Sequence, residues 1–396
     1  MHKRCFFPVL LLLVWLFLPP ASWAAGAENT GRQPAAAADG MLSELDLGKV
    51  DGAAKILEKE LSPAVPEVSF TGLVRSLVRG EGGMGAGDIL DAVLRYLFGE
   101  VAGSAVLLGK LVVLAVIGAV LQNVSSSFEK ATAGRMAQAA VYLVLIVIAL
   151  GSFTAALRIG REVIDGMVSF MHALLPVMIT LLCAVGGLTT AALFHPAVVA
   201  AVNVTATLVK NIVFPLIFFS AILTMASYLA SGFSVTRLAD FFRFVGLGLM
   251  GLLTTVFLGV LAIQGVAGAV TEGIAFRTAK LATSTFIPVV GRVFADAMDA
   301  MVSSSLLVKN AVGMAGLLIV FLMVVFPLLK ILSLVVVYKL AAALVQPLGE
   351  KNLADLMNAL GNAIVSIFAV VGTAGILFFF ALAIVTGLGN INVMLR

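Results

Sequence analysis

Residues 276–316 read FRTAKLATSTFIPVVGRVFADAMDAMVSSSLLVKNAVGMAG, the longest part of the second half of the chain that is neither lipid-compatible nor an ordinary loop. Within it Arg292, Asp296, Asp299 and Ser303 fall at i, i+4, i+7 and i+11, positions that stack on one face of an α-helix. Val293, Phe294, Ala297, Met301 and Val302 fill much of the remaining circumference, and Pro288 and Gly291 mark the entry. The spacing predicts a helix with a charged stripe, set between membrane spans. Such a helix lies at the membrane surface or packs its stripe against a polar partner or cavity. Arg292 paired with Asp296 in solvent is worth only about 0.2–0.5 kcal/mol. Asp299 has no local cation on that face, which leaves it for another subunit, or for Arg277 or Lys280 folded back.

The blocks on either side decide the class. Of 396 residues, 61% are hydrophobic and 12% charged, with a mean hydropathy of +1.13. Soluble domains carry roughly a quarter charged residues, so the chain reads as an all-α polytopic integral membrane protein. The net charge of +4 then reflects loops at the cytoplasmic face. No basic-aromatic patch points to nucleic acid. Cys183 stands alone in an apolar block and Cys5 in a segment expected to be removed, so neither a disulfide framework nor a cysteine metal pair is present. There is no H-E-x-x-H, G-x-S-x-G or Cys-x-x-Cys. The glycines at 103 and 109 are one residue too far apart for a phosphate loop, and Leu111 stands where Ser or Thr is required. The chain is read as a non-enzyme without cofactor.

Residues 1–24 have the three parts of an export signal: His2-Lys3-Arg4, an apolar run over 5–18, and small residues at Ser22 and Ala24. Cleavage after Ala24 is favoured over retention as an anchor, because the run is short of the roughly 20 residues a span needs. Residues 25–104 are expected to form a small helical extracytoplasmic region. Pro63 and Pro66 end a first helical stretch, and Asp88 N-caps an amphipathic helix with Ile89, Leu90, Val93, Leu94, Leu97 and Phe98 on one side. These helices lie on the outer membrane face or offer a docking surface to an exported partner.

Residues 105–396 form the transmembrane domain. Hydropathy places spans near 105–121, 139–157, 170–193, 197–229, 244–270, 311–329, 331–345 and 363–386, seven or eight in all. The block 197–229 is too long for one straight span and holds Lys210, Asn211 and Pro215, so a re-entrant piece before a true helix is expected. The blocks 311–329 and 331–345 are a tight hairpin or one bent helix. With eight spans and the N-terminal region outside, Lys130, Arg135, Lys210, Arg277, Lys280, Arg292, Lys309 and Lys351 face the cytoplasm. Arg158, Arg161, Arg237, Arg243 and Lys330 then lie outside, a mild excess of eight against five in the expected sense. Leu-Val-Lys-Asn at 208–211 and 307–310, and Val-Phe-Pro-Leu at 213–216 and 325–328, hint at an internal repeat.

Ionisable groups within spans are costly and often functional. His172 and His195 have no carboxylate or cysteine nearby in sequence, so hydrogen-bonded structural roles are favoured over metal ligation. Lys339 either faces a polar bundle interior or snorkels from the end of its span. Gln264 and Asn362 are placed to hydrogen-bond between helices. Prolines 176, 196, 215, 288, 327 and 347 lie in or beside apolar segments, as kinks or as broken helices around a path.

Four strings recur together in one family. They are the stretch at 276–316, FHPAV at 194–198, KNIVFPLIFFSAIL at 210–223 and YKLAAALVQPLG at 338–349. From about Leu90 onward the chain resembles the stage III sporulation protein AE family of endospore-forming bacteria, while 25–88 match loosely. The resemblance implies a non-enzymatic subunit in the mother-cell membrane around the forespore, with its N-terminal region outside the cytoplasm. It implies partners among the other subunits of a secretion-like channel that joins the two cells and supports late forespore gene expression. Membrane lipid is a further partner, and self-association into a homo-oligomer stays open. The stripe Arg292, Asp296, Asp299 and Ser303 is the candidate partner or gate surface. His172, His195, Lys210, Gln264 and Lys339 are the candidate intramembrane polar residues. The rival reading is a secondary transporter of ions or small solutes. Broken helices with buried lysine and histidine favour it, and the lack of clustered intramembrane carboxylates counts against it.

Overall fold

The computed structural model describes residues 40–42, 45, 47–61, 69–79, 86–126, 132–229, 235–286, 290–349 and 351–394. Of these, 56–61, 86–90, 122–126, 132–135, 137–138, 229, 264–286, 290–300 and 389–394 are described by backbone alone. The expected export signal, residues 1–24, lies outside the described residues. So do Pro63, Pro66 and Pro288.

The described residues are helical, without a strand. Two short helices come first, α1 (Gly48–Leu61) and α2 (Phe70–Arg79). The bundle follows as α3 (Ala86–Gly103), α4 (Ala105–Ser126), α5 (Thr132–Ala184) and α6 (Leu188–Leu208). A π turn over Val209–Val213 leads into α7 (Phe214–Leu229). Then come α8 (Thr236–Phe286), α9 (Val290–Val345), a 3₁₀ turn at Gln346–Leu348 and α10 (Lys351–Met394). Among the described residues, six helical runs are long and apolar enough to cross a membrane: Asp91–Leu121, Ala139–Ala184, Leu188–Tyr228, Thr236–Ile263, Met301–Leu348 and Lys351–Leu388.

The apolar blocks read from the sequence as seven or eight spans are therefore carried on six runs. Blocks 139–157 and 170–193 are not two separate helices. The first and most of the second share α5, whose 53 residues rise to ~80 Å. That helix ends inside the second block, where Gly186 at φ 92° lets the Gly186 and Gly187 N–H groups cap the carbonyls of Cys183 and Leu182 at 2.9 Å. Of the two alternatives for blocks 311–329 and 331–345, a hairpin or one helix, the structure has the single helix: α9 runs unbroken through Lys330. The expected re-entrant piece in 197–229 is absent: α6, the π turn and α7 form one helical run. Pro215 has no N–H for the carbonyl four residues back, and its ring crowds that carbonyl. The backbone widens there, and the Phe214 N–H reaches the Val209 carbonyl, five residues back. Pro176, Pro196 and Pro327 sit inside continuous helices.

One core unites the bundle, from Leu42 to Leu388. At its centre α9 and α10 run antiparallel, with Gly313 against Thr386 near one end, Gly375 against Val324 midway and Gly361 against Lys339 near the other. Helix α5 lies antiparallel to α9, with Leu174 at Gly316 and Met323 at Gly166. Helices α6 and α7 pair with α8 on the outer side, where the Ser220 hydroxyl donates to the Ala239 carbonyl at 2.7 Å.

The N-terminal helices belong to this core as well. Phe70 is fully buried and meets Phe170 of α5 edge-on, with ring centroids 6.2 Å apart. Val50 and Val74 are also fully buried. Ser69 N-caps α2, accepting from the Gly72 N–H at 3.3 Å. Asp51 of α1 accepts from the Thr71 N–H at 3.1 Å and from the Thr71 hydroxyl. Helix α3 opens the first crossing run, which begins at Asp91 rather than 105, and Tyr96 packs edge-on against Phe326 with centroids 4.9 Å apart.

Two outcomes are expected. At Gly375 a Cβ would lie 2.5 and 2.6 Å from the two Val324 methyls. Gly375→Ala therefore costs about 1–3 kcal/mol through overpacking, read as a lower midpoint of thermal unfolding in detergent. Asp51→Ala removes the tie at the start of α2 at a cost of about 1–2 kcal/mol. Tryptic cleavage at Arg75 and Arg79 is then about tenfold faster while the bundle stays resistant.

Candidate functional site

Polar side chains that the sequence scatters over 130 residues gather at the end of the bundle where α7 turns into α8 and α9 into α10. Lys339 lays its stem along Gly361, whose missing side chain leaves room: a Cβ there would come within 3.2 Å of the lysine Cε. Its ammonium donates to the side-chain oxygens of Asn358 and Asn362, each at 2.6 Å. Arg243 of α8 donates to the backbone carbonyl of Asn362 at 3.1 Å, and the Ser366 hydroxyl donates to the same carbonyl at 3.2 Å. Asn362 thus joins α8, α9 and α10, the interhelical role its position suggested. Asp240 stands one turn from Arg243, and Asp355 acts electrostatically on Tyr228 at the end of α7. Asn362 is eleven residues into α10, so the cluster reaches ~16 Å from the turn.

This arrangement corrects the eight-span charge count. Arg243 and Lys351 were set on opposite faces, yet Arg243 bonds the first third of the helix that Lys351 opens. Lys309, assigned to a cytoplasmic loop, is instead 0% exposed inside the bundle, where its ammonium donates to the Thr386 carbonyl at 2.6 Å. Nothing in its local sequence marked it as buried. It could be placed only once α9 was known to continue through it.

The remaining candidates are dispersed. Lys210 lies on the π turn and pairs with Asp165 of α5. His172 and His195 are both exposed and sit on different helices. No group of three His, Cys, Asp or Glu side chains able to hold a metal gathers among the described residues. Arg292, Asp296 and Asp299 lie on the part of α9 described by backbone alone, and so does Gln264 on α8. The single helix keeps the stripe on one face, with Ser303 exposed at its end. The paired strings of the suspected repeat have unlike backbones: Lys210 is on the π turn and Lys309 within an α-helix.

Helices of this length and polarity, tied by amides and backbone carbonyls, define an all-α polytopic membrane protein. The family model for stage III sporulation protein AE matches residues 68–389. Stage III sporulation protein AE of Bacillus subtilis (strain 168) is 39% identical over 337 residues, covering 85% of this chain and 84% of that protein. The chain belongs to the stage III sporulation protein AE family. No solved structure matches it. The matched region opens at residue 68, so α2 lies within it.

Replacing Lys339 with Met leaves the Asn358 and Asn362 amides without their shared donor. Thermal unfolding in detergent is expected to register a loss of about 1–2 kcal/mol. His172→Ala and His195→Ala, exposed and outside the network, are expected to stay within about 0.5 kcal/mol of wild type.

Proposed function

We propose that this protein is a non-enzymatic subunit of a secretion-like channel complex linking mother cell and forespore, needed for late forespore gene expression. Membership of the sporulation family over most of the chain carries this reading. The fold is in keeping with it: the ties of Lys210, Arg243, Lys309 and Lys339 join helix to helix, as in a structural part of an assembly. In this reading the protein sits in the mother-cell membrane around the forespore, its leader removed and α1 and α2 outside the cytoplasm. The face of α9 that carries Arg292, Asp296, Asp299 and Ser303 contacts other subunits of the complex or gates it.

Deleting the gene in its own host is expected to arrest sporulation after engulfment and to silence forespore-specific transcription. Wild type restores spores, whereas Asp296→Ala combined with Asp299→Ala does not. Normal spore counts from the deletion, with no second copy of the gene, overturn the reading. Rescue by the double variant removes the stripe from it and leaves the rest standing. Solute flux by the purified chain alone in liposomes would favour a transporter instead.

A further inference from the structure

We propose that the exposed face of α5 from Arg158 to Thr180, with α6 beside it, is where a second copy of this chain packs within the membrane. The first support is the character of the face. Asp165, Ser169, His172, Pro176 and Thr180 follow one another at three- and four-residue steps along one side of α5, all exposed. Among the described residues no large apolar side chain is exposed between Val147 and Leu188. Alongside, α6 exposes Asn203 and Thr207, with Leu193 and Val204 as apolar interruptions. From Arg158 to Thr180 the stripe rises ~33 Å, about the thickness of the hydrocarbon.

The second support is another side of the bundle at the same height. Gly246 of α8 sits against Val213, Leu216 and Ile217, and from there α8 runs on beside the π turn and α6. Leu252, Val256, Val260 and Ile263 share one face of that stretch and are exposed, Leu252 at 62% and Ile263 at 72%. Such a face suits lipid. One level of a bilayer does not offer hydrocarbon to α8 and bulk water to α5. Polar groups on a membrane-crossing run belong against protein or a cavity that protein encloses.

The third support selects the occupant. Arg158 lies 3.9 Å from Glu162 and Asp165 pairs with Lys210, while Arg161 has no ion pair among the described residues. Arg161 and Glu162 stand ~100° apart around the helix and flank the stripe on its two sides. Two copies inserted the same way are related by an axis along the membrane normal. That axis sets each flank of one α5 against the opposite flank of the other, so Arg161 of each copy meets Glu162 of the second. The face is complementary to itself, and small side chains such as Ser169 and Thr180 admit close approach.

The test uses the full chain in bacterial membranes, with Cys5 and Cys183 replaced by serine and one new cysteine at a time. Ser169→Cys and Thr180→Cys are expected to give a disulfide-linked dimer of the chain on mild oxidation, while Val256→Cys stays monomeric. Adding Arg161→Glu to the Ser169→Cys chain is expected to lower the dimer about tenfold. Co-expression with a chain carrying Glu162→Arg and Ser169→Cys is expected to restore it, because each glutamate then faces an arginine. Monomer from both Ser169→Cys and Thr180→Cys overturns the proposal. A water-soluble maleimide then separates a face open to water from one covered by another part of the chain. Linkage of Ser169→Cys to a different protein, or a dimer of equal yield through Val256→Cys, overturns it equally. If the charge variants do not fold, the comparison of Ser169→Cys with Val256→Cys decides alone.

Discussion

Helices α9 and α10 approach so closely that side chains on one press into the space left by glycines on the other. Gly375 faces the two methyls of Val324, and Gly313 faces Thr386. Within lipid there is little hydrophobic drive to bring apolar helices together, and close van der Waals contact does much of that work. The pairing fixes an antiparallel register, and the neighbours follow it. Met323 and Leu174 lock α5 along α9. Gly160 of α5 admits Val371 of α10 and Phe214 at the start of α7, each within 3.0 Å of where a Cβ would stand. A side chain at Gly160 would press on two helices at once.

That register also decides which polar groups meet. Lys309 reaches the Thr386 carbonyl only because Gly313 lets α10 lie directly beneath it. A buried ammonium far from water needs acceptors of its own, and here the acceptor is backbone. At the other end the same two helices bring Asn358 and Asn362 within reach of Lys339. One lysine is sealed in the core and the other lies near the surface, although both sit on a single uninterrupted helix.

The two ends of the bundle differ in kind. One carries α1 and α2, seated on the bundle through Phe70 and Val74, with Met41 ahead of α1 accepting from the Ser305 hydroxyl of α9. The other carries tight reversals, with Gly349 at φ 85° closing the turn into α10. Helices α5 and α9, at 53 and 56 residues, exceed the ~30 Å hydrocarbon thickness of a bilayer more than twofold. Much of their length must lie outside the hydrocarbon or be covered by other protein.

The amino-acid order determined the class, because a hydropathy of +1.13 with few charges leaves no alternative to a polytopic helical protein. It also determined the family, through uncommon polar and proline strings that recur in order, and it placed Lys339 and Asn362 among the polar groups worth following. It did not determine where helices stop. Arg158 and Arg161 read as part of a loop between spans, yet the helix continues through them despite Gly160 and Gly166, because tertiary packing overrides local propensity. Lys330 and Pro327 were equally silent on whether α9 turned back. The burial of Lys309, the seating of α1 and α2, and the meeting of Arg243 with Lys339 at Asn362 were settled only by tertiary structure. Each joins residues on separate helices, and local periodicity carries no information about which helices are neighbours or in what register they lie.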